Sequence, residues 1–223
     1  MIAVVDYGMG NLRSVLKALE ALGAAAQVTD DPLAVAEASK VVVPGVGAFD
    51  VAMRELTARG LIEPILKGIA EGKPYLGICL GMQLLFEESD EGQGAKGFGL
   101  LRGAVRRLPA SAGKIPHMGW NQVHPSSGLS DIGRPRDRGA SASAAAPRGA
   151  ACPLLEGIPA GSFFYFVHSY AAYPADPAVT TLQTDYGGPF ASMVWRQNVY
   201  ATQFHPEKSQ AVGLQLLKNF VML

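Results

Sequence analysis

The chain has 223 residues, 48% of them hydrophobic and 17% charged, which suits one large or two small domains and excludes wholesale disorder. Lys plus Arg and Asp plus Glu are 19 each, so no global field attracts nucleic acid or an anionic membrane. The two cysteines, Cys79 and Cys152, allow one disulfide at most, which excludes a disulfide scaffold.

The N-terminus, Met1 to Asp6, lacks the basic and long apolar regions of a signal peptide. No uncharged apolar stretch reaches the roughly 18 residues of a membrane helix. A soluble protein of the cytoplasm is expected. Ile2 to Val5 is a short apolar run closed by Asp6. Leu12, Val15, Leu16, Leu19 and Leu22 then recur at helical spacing, with Asn11 as cap and Gly23 as stop. A weaker strand covers Ala25 to Val28, and Asp31-Pro32 opens a short helix. Val41 to Val43 is a second apolar run. After Pro44-Gly45-Val46-Gly47 come helical patterns through Leu56 and from Leu61 to Ile69. Pro74 to Ile78 is a third run, with a helix expected over Leu80 to Phe86. Short apolar runs alternating with amphipathic helices predict βαβ units and a parallel sheet covered on both faces.

The second half reads as strands over Leu100–Leu108, Gln122–His124, Ser162–Tyr170, Val179–Thr184, Ala191–Arg196 and Val199–Phe204, rich in aromatic and β-branched residues. Gln197-Asn198 is a hairpin turn, and Ser209 caps a closing helix. The expected fold is a single α/β domain over 1–223, its central sheet mostly parallel, helix-flanked and flavodoxin-like, with later strands partly antiparallel. Residues 126 to 151 have too few large apolar side chains to offset their ordering entropy and are expected to be a flexible insertion.

In open parallel sheets, sites lie beyond the carboxyl ends of the strands. Gly77-Ile78-Cys79-Leu80-Gly81 places a cysteine between a strand and a helix, as in the nucleophile elbow of serine hydrolases. There a thiol meets the helix N-terminus, which favours thiolate, and the Leu80 N–H can stabilise an oxyanion. The pentapeptide alone also fits a structural cysteine between packing glycines. His205 and Glu207, two apart on an extended segment, can face one site, with Glu207 orienting His205 and Pro206 fixing the spacing. A charged strand-to-helix turn is the alternative. Pro44 to Gly47 could supply a second oxyanion donor or be an ordinary βα turn. His168-Ser169-Tyr170 ends another strand. Pro116 to Asn121 reads as an exposed loop, either a binding patch or a packed loop. The histidine, cysteine and glutamate spacings match no metal-ligand pattern, and no phosphate-binding loop is present.

Pro44-Gly45-Val46-Gly47, Gly77 to Gln83 and Gln203 to Ser209 together resemble the class I, triad-type glutamine amidotransferases. Asp6 to Asn11, Pro116 to Asn121 and Tyr165 to Tyr170 look more particularly like the glutaminase subunits of imidazole glycerol phosphate synthases, from histidine biosynthesis. The resemblance covers most of 1–125 and 153–223. The 126–151 insertion is longer than usual for the group, and Ala171 stands where a second aromatic is commoner.

The resemblance implies a Cys79–His205–Glu207 triad that hydrolyses glutamine through a thioester. Its oxyanion is held by Leu80 and by backbone near Val46 or Gly47. Glutamine contacts fall on Gly47, Gln83 and Ser169. No cofactor or metal is implied. Ammonia passes to a separate (β/α)₈-barrel cyclase subunit in a heterodimer, with Met118, Gly119, Trp120 and Tyr165 at the interface. Another ammonia-using synthase, a cysteine peptidase on a related fold and a non-catalytic binding subunit are the alternatives.

Overall fold

The computed structural model describes residues 1–92, 94–126 and 152–223. The insertion expected at 126–151 lies, Ser126 apart, outside the described residues. The first half runs β1 (Ile2–Val5), α1 (Leu12–Ala21), β2 (Ala26–Thr29), α2 (Pro32–Glu37), β3 (Lys40–Gly45), α3 (Phe49–Ala58), α4 (Ile62–Ala70), β4 (Tyr75–Cys79) and α5 (Leu80–Gln83). The second runs β5 (Phe86–Ser89), β6 (Leu101–Arg107), β7 (His117–Gln122), β8 (His124–Pro125), β9 (Phe163–His168), β10 (Tyr170–Pro174), β11 (Thr180–Asp185), β12 (Pro189–Arg196), β13 (Val199–Thr202) and α6 (Gln210–Met222).

The main sheet has the order β2-β1-β3-β4-β13-β12-β11-β8. Its first five strands are parallel, and β12, β11 and β8 extend it antiparallel. Two smaller sheets, β10-β6-β5 and β7-β9, stand beside it. The apolar runs read as strands because both faces are covered. Ile2, Val4, Val42, Leu76 and Ile78 pack on one side with Val15 and Leu19 of α1 and Leu216, Leu217 and Phe220 of α6. Ala3, Val5, Val41, Val43 and Tyr75 pack on the other with Val35 of α2, Phe49 and Leu56 of α3 and Ile65 of α4. Strand alternation thus feeds two cores, and no helix among the described residues is long and apolar enough to cross a membrane.

Several expectations are corrected. The helix after Cys79 stops at Gln83 rather than Phe86, because the next residues bond to distant backbone: Phe98 N–H donates to Leu84 O, and Leu101 N–H to Leu85 O. Pro116 to Asn121 is no loop, since His117–Gln122 pairs antiparallel with β9. The expected strand Ser162–Tyr170 breaks at Ser169 into β9 and β10. Asn11 and Ser209 stand at the helix starts without making a side-chain cap. Asp31 does cap, accepting from Leu33 N–H at 3.0 Å.

Candidate active site

The carboxyl ends of β1, β3, β4 and β13 are neighbours in the sheet, so the segments that follow them converge. Gly45 lies opposite Cys79 in the register, which sends Val46 and Gly47 out beside the elbow. Tyr7, from the segment after β1, is buried with its hydroxyl against Gly45; a Cβ on Gly45 would stand 2.0 Å from that oxygen. Val46 is exposed, and Gly47 has φ +106°.

Cys79 sits in the left-handed region at φ 55°, ψ −106°, where a non-glycine residue is strained. The elbow closes this tightly because its flanks lack side chains. A Cβ on Gly77 would be 2.5 Å from Gly81 O, and one on Gly81 would be 1.8 Å from Val43 O. The strain places the thiol at the start of α5 with Leu80 as its first residue. Cys79 Sγ lies 3.9 Å from the Val167 carbonyl of β9 and 3.5 Å from Gln203 Nε2.

His205 follows β13 and is held from both sides. Its N–H donates to Tyr165 O at 2.9 Å, and its carbonyl accepts from the Ser209 hydroxyl at 2.6 Å. That hydroxyl in turn accepts from Tyr165 N–H at 3.0 Å. The side chain of Ser209 therefore braces the histidine segment instead of capping α6. His205 Nδ1 meets Glu207 Oε1 at 2.9 Å, and both side chains are buried. Nε2, on the other edge of the ring, makes no hydrogen bond of good geometry. Burial works against the charged imidazole, but Cys79 and then Glu207 outweigh it and push its pKa up to about 10. Such an arrangement has the chemistry to act as nucleophile, base and orienting carboxylate.

The remaining candidates divide. Gln83 is buried, its Nε2 donating to Tyr170 O at 2.9 Å and to Gln203 Oε1 at 3.1 Å. Ser169 lies at the break between β9 and β10, two residues beyond Val167. Met118 and Trp120 project from the exposed face of β7, and Trp120 meets Tyr165 edge to face at 6.2 Å. Gly119 falls in the inward register with His117 and Asn121. Ala171 is fully buried in β10. Among the described residues no group of three or more His, Cys, Asp or Glu could hold a metal ion.

Sequence reasoning missed two features. Gln203 was visible in its motif, but its contacts with the Cys79 thiol and with Gln83, 120 positions away, were not. The other is a buried histidine pair. His168 Nδ1 lies 2.8 Å from Tyr170 O, and its Nε2 lies 2.9 Å from His117 Nδ1. A carbonyl only accepts, so His168 carries its proton on Nδ1, and His117 Nδ1–H donates to His168 Nε2. Burial keeps both rings neutral, lowering His168 to about 3 and His117 to about 4.

Residues 3–223 match the family described as glutamine amidotransferase class-I. The imidazole glycerol phosphate synthase subunit HisH of Syntrophotalea carbinolica is 49% identical over 226 residues, covering 99% of this chain and 98% of its own. The protein of the same description from Rhodopirellula baltica is 49% identical over 222 residues, covering 99% of this chain and 96% of its own. A crystal structure of a glutamine amidotransferase superposes with a TM-score of 0.70 at 17% identity over 100% of both chains; at that identity the likeness speaks for the fold.

Proposed function

Since the chain belongs to the class-I glutamine amidotransferases, among the HisH subunits of imidazole glycerol phosphate synthase, we propose that Cys79, His205 and Glu207 are the residues by which it takes ammonia from glutamine. It is the glutaminase subunit of that synthase, in histidine biosynthesis. The observation that carries the assignment is the strained Cys79 elbow together with the electrostatic coupling of Cys79 to a buried His205 whose Nδ1 lies 2.9 Å from Glu207 Oε1.

Cys79 Sγ attacks the side-chain amide carbon of glutamine. The Leu80 N–H and a backbone group near Val46 or Gly47 hold the developing oxyanion. Collapse of the tetrahedral intermediate breaks the C–N bond, and His205 gives the leaving nitrogen its proton. Water, relieved of a proton by His205, then attacks the thioester and releases glutamate and the Cys79 thiolate. Glu207 keeps Nδ1 occupied, so Nε2 is the working nitrogen. Gly47, Gln83 and Ser169 contact the glutamine.

Ammonia goes to a cyclase subunit of (β/α)₈-barrel fold in a heterodimer. Such a barrel takes roughly 250 residues of its own, whereas residues 3–223 match the amidotransferase family. The cyclase uses ammonia on a phosphorylated ribulosyl-carboxamide nucleotide, giving imidazole glycerol phosphate and aminoimidazole carboxamide ribotide. Met118, Trp120 and Tyr165, exposed or half-exposed on the β7–β9 ribbon, support an interface there, with Gly119 between them. The same ribbon brings Val167 to the thiol. The free thiol of Cys79 suits the reducing cytoplasm. Copurification with the cyclase, then glutamate release with and without the cyclase ligand, tests the reading. Glutamine hydrolysis that rises with partner and ligand is expected; hydrolysis of peptides in preference to glutamine would contradict it.

A further inference from the structure

We propose that Gln203 is a further catalytic residue, whose side-chain N–H donates to Cys79 Sγ, and that Gln83 is the positioning residue that turns the amide the right way round. The inference rests on Cys79 being the nucleophile. Gln203 is fully buried immediately after β13, with Nε2 3.5 Å from the sulfur and Oε1 3.1 Å from Gln83 Nε2.

The two ends of a glutamine amide have nearly the same shape, so their assignment must come from the partners. One partner here has a fixed role. The Tyr170 carbonyl can only accept, and it lies 2.9 Å from Gln83. The end of Gln83 facing it is therefore the NH₂, whose second hydrogen points to Gln203. Gln203 must answer with its oxygen, and its nitrogen is left to the sulfur. The Tyr170 carbonyl is also pinned by His168 Nδ1–H at 2.8 Å, so the chain of donors has a fixed start.

A neutral N–H aimed at sulfur favours thiolate over thiol, because a hydrogen bond to an ionised acceptor is about twice as strong as one between neutral groups. His205 supplies charge and moves a proton; Gln203 supplies a donor that never gives its proton up. It holds the sulfur before attack, and it holds the departing thiolate again when the thioester is hydrolysed. A buried amide with both ends satisfied also resists rotation, which keeps Sγ pointing at the substrate carbon.

The test is alkylation of Cys79 by iodoacetamide in the full chain, followed from pH 5 to 10 and read by mass on the Cys79 peptide. This small electrophile reports the sulfur without using the glutamine contacts. Gln203→Met keeps the bulk and removes the donor. It should slow alkylation about tenfold near pH 7, the worth of one hydrogen bond to a charged group, and displace the profile to higher pH. Gln83→Met frees the Gln203 amide to turn. It should give a smaller change in the same direction and add nothing to Gln203→Met in the double variant. A folded Gln203→Met protein with the parent profile would overturn the proposal. If Gln203→Met does not fold, an unchanged profile in Gln83→Met overturns it instead. Failure of the underlying assignment is distinguishable, since it appears as glutamine turnover by Cys79→Ala protein.

Discussion

Gly81→Ala puts the elbow itself under test. The added Cβ would stand 1.8 Å from Val43 O, where a carbon–oxygen contact needs roughly 3.3 Å. Helix α5 and strand β3 must therefore part by about 1.5 Å. Overpacking of this kind costs about 1–3 kcal/mol. At about 2–4 °C per kcal/mol for a chain of this length, Tm should fall by several degrees. The larger effect is on turnover, because α5 begins at Leu80 beside Cys79. A displacement of about 1 Å at a reacting group costs around 10²-fold. Gly23→Ala is the comparator. Gly23 also has a positive φ, +76°, but open space around its Cβ position, so the change costs about 1–2 kcal/mol of backbone strain and leaves turnover alone. Thermal melting and glutamate release by the partnered enzyme read both variants. Gly81→Ala with parent turnover, or Gly23→Ala losing as much activity, would refute the close-approach argument.

His205→Asn and Glu207→Gln should each lower turnover, by about 10⁴-fold on the serine-triad precedent, the histidine change more; a fully active His205→Asn protein would show that another base serves Cys79. His205, raised from 6.5 to about 10, should remain protonated at pH 8 by nitrogen NMR and lose that proton at lower pH in Cys79→Ala, which removes the strongest raising influence. A folded-state value above the unfolded one means that this group stabilises the fold fully below about pH 6.5, with the contribution fading as pH climbs toward 10. Trp120→Ala should weaken cyclase binding by about 2 kcal/mol or more, some thirtyfold, with little change in Tm, since its side chain is 45% exposed; a large drop in Tm at unchanged affinity would place Trp120 in the core.

The parallel half of the fold was legible because its signals are local and periodic. The apolar runs at Ile2, Val41 and Pro74 became β1, β3 and β4, and all end at the site as strand ends in such sheets do. Cys79, His205 and Glu207 were legible as candidates for the same reason, each lying in a short motif at a strand end. What failed depended on distant pairing. Leu84 to Phe86 continue a helical pattern but bond to the backbone of Phe98, Gly99 and Leu101, which overrides propensity. Pro116 to Asn121 reads as an exposed loop, although His117 points in and Met118 and Trp120 point out as on any half-buried strand. Ser209 stood at a helix start, yet its hydroxyl bonds back to His205 O four residues earlier, a local alternative to capping, and accepts from Tyr165 N–H, 44 positions away, which no local rule anticipates. Gln203 and His168 belong to the same class: Gln203 bonds to Gln83, 120 positions away, and His168 to His117, 51 positions away.

The proposed function turns on Cys79 being the nucleophile of a glutaminase that feeds a separate cyclase. Cys79→Ala, assembled with the cyclase, should be assayed for imidazole glycerol phosphate synthesis with glutamine and, in parallel, with ammonium salt at high pH. Synthesis from glutamine should be lost while synthesis from ammonia stays largely intact. Glutamate release from glutamine at the parent rate by the Ala variant would contradict it.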